Sequence, residues 1–458
     1  MIPEGLVSSS CCPGAGRHVL AAFVYRRHMA LFGRGKKENV EQVVVVPAPR
    51  LLDPPAVNEA GMRSLTEHRN YVLSMIQSLP PFGMKLLDAW NLSIYEELSS
   101  DFDLPPFAVA ATDGYAVSVG YKHRASATDN AESPDSAASA EEDRSLIGYT
   151  LSPDGGTPVL AGEPLPEGTD AVIPFGDVLS NSEVKAGDYV LARGAQLAKG
   201  ATIANQGDLV DTKVVALLAA AGIDKVMARP RPRISVISVG DALVEPGHPK
   251  YGSQEYDVAS FLLATAAKKD GATVWCTGAV TKDPDRLREV ISDQLIRSDL
   301  ILITGHEPAD FEAIRAVTST LGAVDFPELA LNSRNHGFGL IGEEKIPFLL
   351  LPGDAADTFI AYHAIVRPVI RKLMGTEPYG HSAVACVSDS SAVSAEDVLE
   401  YGFAHAEMIN DRHHVRILGN LHAPTLTDMA RANALVILPA GKTLIEPGDT
   451  LMSWLLSD

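Results

Sequence analysis

Two short segments, SVGD (Ser238 to Asp241) and TGHEPAD (Thr304 to Asp310), place small hydroxyl residues, glycines and carboxylates directly after apolar runs. In an open α/β sheet, ligands bind beyond the carboxyl ends of the strands, and residues in that position line the crevice. Carboxylates there can hold a cation or orient water, whereas glycine-rich backbone amides suit an anion. Other groupings are weaker. Gly337 to Gly342 fits G-x-G-x-x-G, but a strand-like KIPFLLL follows where a dinucleotide site needs a helix. His405, His413, His414 and His422 lack metal-ligand spacing and read as solvated surface. Cys11, Cys12, Cys276 and Cys386 suit neither zinc nor a disulfide framework, which fits a reducing cytoplasm.

The elements that must position the two segments follow from periodicity. From Arg233, ISVISVG reads as a buried strand, SFLLATAAKKDG as a helix closed by Gly271, and ATVWCTGAV as a strand. DPDRLREVISDQLIRS then reads as a helix and DLILITG as a strand. Such alternation predicts a parallel sheet with right-handed crossovers. Upstream, RSLTEHRNYVLSMIQSL has helical spacing, with Ser64 and Glu67 as an expected capping box. After Gly375, short strands separated by turns predict a small all-β domain.

The 458 residues exceed one ordinary domain, and 46% hydrophobic with 21% charged residues is a globular composition. No apolar run reaches the roughly 20 residues of a membrane helix. The net charge of −20, from 38 basic and 58 acidic residues, argues against nucleic acid and requires a local basic pocket for any anionic substrate. Residues 1–60, with basic Arg34, Lys36 and Lys37, are expected to be disordered, and HVLAAFVY does not read as a secretory signal. Met29 or Met62 can equally serve as the start. The Ala-, Ser- and acid-rich stretch 123–144 reads as a flexible loop insertion.

Ordered motifs narrow the field: DLPPFAVAATDGYAV from Asp103, GEPLPEGTDAV from Gly162, RPRISVISVGDALVEPG from Arg231, LLLPGDAADTFIAYHAIVRPVIRKLMG from Leu349, and RANALVILPAGKTLIEPGD near the C-terminus. In this order they resemble the molybdopterin molybdenumtransferases, the group that includes gephyrin, across about residues 62–458. The resemblance implies an α/β plus β, multidomain chain forming an elongated homodimer. Its expected parts are a disordered extension (1–60), an N-terminal helix and the start of a linking domain (61–101), an inserted lid domain (102–204), the return through the linking domain (205–230), an α/β molybdopterin-binding-like domain (231–376) and a C-terminal β-barrel domain (377–458). It further implies insertion of molybdate into adenylylated molybdopterin with magnesium, releasing molybdenum cofactor and AMP.

On that resemblance Asp113 and Asp241 are the expected catalytic residues, and Asp241, Asp257 and Asp310 the expected metal ligands. Gly305, Arg334, Pro352 and Gly353 are the expected substrate contacts. The alternative for Asp113, Asp241 and Asp257 is helix or turn capping. Several family motifs are altered. The S-G-G-V-S-x-G-x-x-D loop is Thr304 to Asp310, with a Glu and a Pro in place of Gly and Ser donors. M-K-P-G-K-P is Leu331 to His336, with both lysines lost, and P-G-N-P-V-S is Pro352 to Asp357, with two carboxylates gained. Ala161, Val258 and Ala242 replace further polar family residues. A carboxylate within about 4 Å of a phosphate costs on the order of 4 kcal/mol at an effective dielectric near 20. The expectation is therefore a transferase with an impaired site in the cytoplasm. The alternative is a repurposed scaffold binding a membrane-receptor peptide and a cytoskeletal or cell-division protein.

Overall fold

The computed structural model describes residues 51–118, 156–177, 185–331, 333 and 335–456. Much of the N-terminal extension, the acidic insertion 123–144, and Arg334 lie outside the described residues. The chain divides into two compact units, 51–78 with 231–456, and 79–230.

In the first unit, helix α1 (Leu65–Met75) buries Leu65, Tyr71 and Val72. Ser64 is its N-cap but makes no side-chain cap hydrogen bond, so the expected capping box with Glu67 does not form. Arg63 at its head pairs with Asp325 at 2.6 Å and bridges to Leu329, both far along the chain. Residues 51–60 are placed without regular secondary structure, and the Leu52 carbonyl accepts from the Tyr71 hydroxyl.

The α/β part holds strands β1 (Arg233–Val239), β2 (Thr273–Val280), β3 (Leu300–Gly305), β4 (Gly322–Asp325), β5 (Gly337–Ile341) and β6 (Ile346–Pro352). Helices α2 (Ala259–Lys269), α3 (Pro284–Leu295) and α4 (Pro308–Leu321) supply the crossovers, and α5 (Ala355–Ala361) follows β6. A π turn, Tyr362–Val366, joins α5 to α6 (Arg367–Met374). The sheet order is β2-β1-β3-β6-β5-β4. β3 is buried throughout and β1 beyond Arg233, because helices cover both faces. Ile237, Ile303, Leu287, Ile314 and Phe348 lie in the shared core.

The sheet is mixed, not wholly parallel. β4 and β5 run antiparallel to their neighbours. The β5–β6 connection, residues 342–345, is too short for a crossover and closes a hairpin with Gly342 and Lys345 at positive φ. The glycines of the G-x-G-x-x-G match have packing roles here. A Cβ at Gly337 or Gly339 would lie 2.6 Å from the Phe326 ring or 2.5 Å from the Phe348 ring.

The C-terminal part is a closed barrel of β7 (Ala383–Ser388), β8 (Glu400–Ile409), β9 (Arg412–Ile417), β10 (Ala434–Leu438) and β11 (Thr450–Leu455), in the order β7-β9-β8-β10-β11. Closure removes exposed strand edges and encloses Ala404, Val415, Val436 and Leu451. His414 pairs with Asp389 and His422 with Glu400.

The second unit is built of short antiparallel pairs. Residues 82–85 pair with 225–228, and 98–99 with 202–204, so the start and end of the unit close on each other. Within it, 114–117 is the central strand between 157–159 and 171–174. Among the described residues, no helix is long and apolar enough to cross a membrane.

Candidate functional site

The strand order turns back between β1 and β3: β1 leads to β2 on one side, and β2 leads to β3 on the other. That is a topological switch point, and the crevice at the carboxyl edge there is the expected ligand site. The structure has a cavity of about 180 Å3 at this place, lined among others by Glu255, Asp257, Thr304, His306, Gly353 and Asp354.

Its floor is a buried polar chain. The Thr304 hydroxyl donates to Ser238 Oγ at 3.1 Å, and Ser238 Oγ donates to Asp257 Oδ1 at 2.9 Å. Ser260 adds its N–H to Asp257 Oδ1 at 3.1 Å and its hydroxyl to Oδ2 at 2.6 Å. Asp257, just before α2, thus accepts three hydrogen bonds while almost fully buried. Replacing it with alanine leaves two buried serine hydroxyls and an amide without their acceptor. Asp257→Ala is expected to destabilise the fold by about 2–4 kcal/mol, and Asp257→Asn by less. Equal urea midpoints for wild type and Asp257→Ala would show that the carboxylate has no structural role.

Gly353 makes the crevice possible by close approach. A Cβ on it would lie 2.6 Å from the Gly305 carbonyl oxygen and 3.0 Å from the His306 Cα. Pro352 is the last residue of β6, paired with Gly305 at the end of β3. Asp354 caps α5, accepting from the amides of Ala356 at 2.9 Å and Asp357 at 3.2 Å. Burial, and then the Asp354 carboxylate, push the Asp357 pKa up to about 6. On another wall His306 Nε2 meets Glu255 Oε2 at 2.9 Å.

The loop after β3 satisfies its own donors. Asp310 Oδ2 accepts from the amides of His306 at 3.2 Å and Glu307 at 2.8 Å, and Glu307 with Asp310 forms the capping box of α4. Backbone N–H groups that could face an anion are therefore turned onto a carboxylate of the chain itself. Asp241 accepts from the Thr281 hydroxyl at 2.6 Å, and this bond first, with Lys282 after it, holds its pKa below the usual carboxylate value. Lys282 Nζ lies 3.5 Å from Asp241, 3.5 Å from Glu307 and 3.9 Å from Asp310. Desolvation disfavours the Lys282 charge, but these carboxylates together raise its pKa.

The expected residues fall into separate places. Gly305, Pro352, Gly353 and Asp257 meet at the crevice, and Asp241 and Asp310 meet around Lys282. Asp113 belongs to the other unit, where its Oδ1 accepts from the Ala161 amide at 2.8 Å. The proposed metal set of Asp241, Asp257 and Asp310 does not fit a divalent ion. Asp257 is engaged by serine donors, Lys282 stands against the other two, and among the described residues no group of three His, Cys, Asp or Glu side chains is placed to hold a metal. Lys282, Thr281, His306 and Glu255 were missed as site residues. Lys282 had one legible signal, its place at the carboxyl end of the ATVWCTGAV strand, level with SVGD.

Two family models match the chain. The MoeA N-terminal region (domain I and II) covers residues 63–222, and a probable molybdopterin binding domain covers residues 235–372, which includes Asp257, Thr304, His306 and Gly353 of the crevice. The chain belongs to the molybdopterin molybdenumtransferase (MoeA) family. Molybdopterin molybdenumtransferase 1 of Mycobacterium tuberculosis is 29% identical over 417 residues, 85% of this chain and 97% of that protein. Molybdopterin molybdenumtransferase 2 of the same organism is 27% identical over 418 residues, 86% and 99% of the two chains. A molybdopterin biosynthesis MoeA protein from Pyrococcus horikosii has the same fold, with a TM-score of 0.68 at 21% identity over 87% of this chain and 100% of that one. The MoeA architecture accounts for both the α/β part and the closed barrel.

Proposed function

We propose that this MoeA-family chain acts in molybdenum cofactor biosynthesis as a molybdopterin molybdenumtransferase, taking adenylylated molybdopterin and molybdate as substrates, and that its affinity for them is low. The observation that carries the reading is the crevice at the β1/β3 switch point, built on Ser238, Thr304 and Asp257 within the match to the molybdopterin binding domain. In this reading Gly353 lets the β6–α5 turn approach the ligand, Asp257 holds Ser238 and Ser260 in place, and Asp241 orients water or oxyanion oxygens.

The low affinity follows from charge. Glu255, Asp257 and Asp354 line the cavity, and Asp310 occupies the donors of its own loop. Arg334 is the fixed positive charge the reading assigns to the substrate. Each uncompensated carboxylate close to a phosphate opposes binding by an amount on the order of 4 kcal/mol. Magnesium has no ligand set at Asp241, Asp257 and Asp310, so no step is assigned to it there.

The test is reconstitution of the purified chain with adenylylated molybdopterin, molybdate and magnesium, beside an intact family member. The expected result is cofactor release at least about 100-fold slower, a loss of two to three kcal/mol of transition-state binding. Matching rates would overturn the impairment. We propose a homodimer in the same preparation, and light scattering that gives a monomer mass at micromolar protein would overturn it. A second reading, a scaffold for a receptor peptide, is favoured by Met408, Ile409 and Met452 standing exposed on the barrel. Capture of a receptor peptide that persists after Met408→Ala and Met452→Ala would count against that surface.

A further inference from the structure

We propose that His306 is the anion-binding side chain of the crevice, with its imidazolium shared between Glu255 and the oxyanion of a bound ligand, so that anion binding takes up a proton. The inference rests on the transferase reading of this site and adds to it the contacting residue and a pH response.

Charge singles it out. Glu255, Asp257 and Asp354 bring carboxylates to the cavity, and among the described residues that line it His306 is the one able to carry positive charge. An anion entering such a site needs a charged donor that the fold has not already engaged. The backbone amides of the loop are engaged, because Asp310 Oδ2 accepts those of His306 and Glu307. The His306 side chain is freer. It is 38% exposed, and its 2.9 Å bond to Glu255, itself 57% exposed, is a surface ion pair of the kind that contributes little to stability. Exchanging the Glu255 oxygen for a ligand oxygen therefore sacrifices little of the fold.

Both partners are held at the backbone, so the exchange needs only side-chain motion. The Glu255 amide donates to the Ala242 carbonyl at 2.9 Å, and residues 255–256 pair in parallel with 243–244. The His306 Cα packs against Gly353, 3.0 Å from where a Cβ on that glycine would stand. The other charged groups around the ring come from three elements. Asp257, before α2, is engaged by Ser238 and Ser260, and Asp354 at the head of α5 by two amides, with Asp357 beside it. Glu307 and Asp310 at the head of α4 face Lys282. Glu255 is thus the carboxylate that competes with a ligand for the imidazolium. Imidazole side chains change charge between roughly pH 5 and pH 8, so a ligand that needs the charged form binds more tightly as pH falls through that range.

Molybdate alone is the probe, because it stays a dianion between about pH 6 and about pH 8 and any pH response then belongs to the protein. Equilibrium dialysis of the full chain at both pH values, with bound molybdenum counted by mass spectrometry, compares wild type with His306→Gln, His306→Lys and Glu255→Gln. Both side chains are more than one-third exposed, so the variants should fold, and a melting curve checks each. Wild type is expected to bind at least about tenfold more tightly at the lower pH, His306→Gln weakly at both, and His306→Lys tightly at both. Glu255→Gln should gain at least about threefold at the lower pH, since the competing carboxylate is gone. The inference is overturned by equal wild-type affinity at the two pH values, by no molybdate binding at either, by a pH response kept in His306→Gln, by His306→Lys binding no better than His306→Gln, or by no gain in Glu255→Gln. Binding in the expected pattern without molybdate insertion on reconstitution would retire the transferase reading alone. Insertion alongside a flat pH response in binding would retire this inference alone.

Discussion

Unfolding free energy is expected to fall by roughly 4 kcal/mol between pH 7 and pH 5, an unusually steep loss for mild acid. Two buried histidines, His68 and His336, and the half-buried His363 cause it. Burial, with His336 and Arg63 adding to it, lowers the His68 pKa to about 3. Burial lowers His336 to about 4, against a smaller opposing contribution from its bond to Ser333. Burial and then His381 lower His363 to about 3; its Nδ1 lies 2.9 Å from His381 Nε2. Each takes up a proton more readily when the chain is unfolded. Their contribution is therefore complete above pH 6.5 and is lost as pH falls toward the folded values, at about 1.4 kcal/mol per pH unit for each group. Asp357 acts in the opposite direction, because its folded pKa is raised to about 6. Its ionised form is disfavoured in the fold above that pH, and protonation between pH 6 and pH 4 relieves about 1–2 kcal/mol. Denaturant titrations at several pH values measure the sum. His68→Gln should flatten the slope, and a stability that stays constant from pH 7 to pH 5 would refute the account.

Gly353→Ala is expected to lower stability by about 2–4 kcal/mol and to abolish ligand binding at the crevice. The added methyl would lie 2.6 Å from the Gly305 carbonyl and 3.0 Å from the His306 Cα, both backbone atoms that cannot rotate away. Either the β3–α4 loop or the β6–α5 turn must move. Both carry residues of the site, since Asp310 receives the amides of that loop and Asp354 caps the helix after the turn. Gly380→Ala is the control, because a Cβ there meets nothing within 4 Å. Denaturation midpoints for the two variants should differ by most of the expected loss. Equal midpoints, or retained pterin binding in Gly353→Ala, would show that the two strand ends have room the geometry denies them.

The elements of the α/β part were legible because their cause is local. ISVISVG and DLILITG are unbroken apolar runs, and only a strand covered on both faces tolerates that at this length. Asp283 before Pro284 and Gly375 after Met374 mark helix ends by capping chemistry that needs no partner. The barrel was legible as short strands and turns. Motif order then carried the family.

What depended on distance along the chain was not legible. The antiparallel edge came from strand pairing that periodicity does not encode, since a hairpin strand and a crossover strand share one pattern. Ser64 and Glu67 have the spacing of a capping box, but no side-chain cap bond forms there, and the tertiary bond beside it is the ion pair of Arg63 with Asp325, 262 residues away. Asp241, Asp257 and Asp310 look alike as aspartates after apolar strands or turns. Tertiary structure separated them: three donors from Ser238 and Ser260 make Asp257 a buried brace, two amides of its own loop make Asp310 a cap, and Lys282 from the neighbouring strand meets the charge of Asp310 and Asp241. Residue type sets what a carboxylate can do. Which donors reach it first is decided only when the strands are side by side.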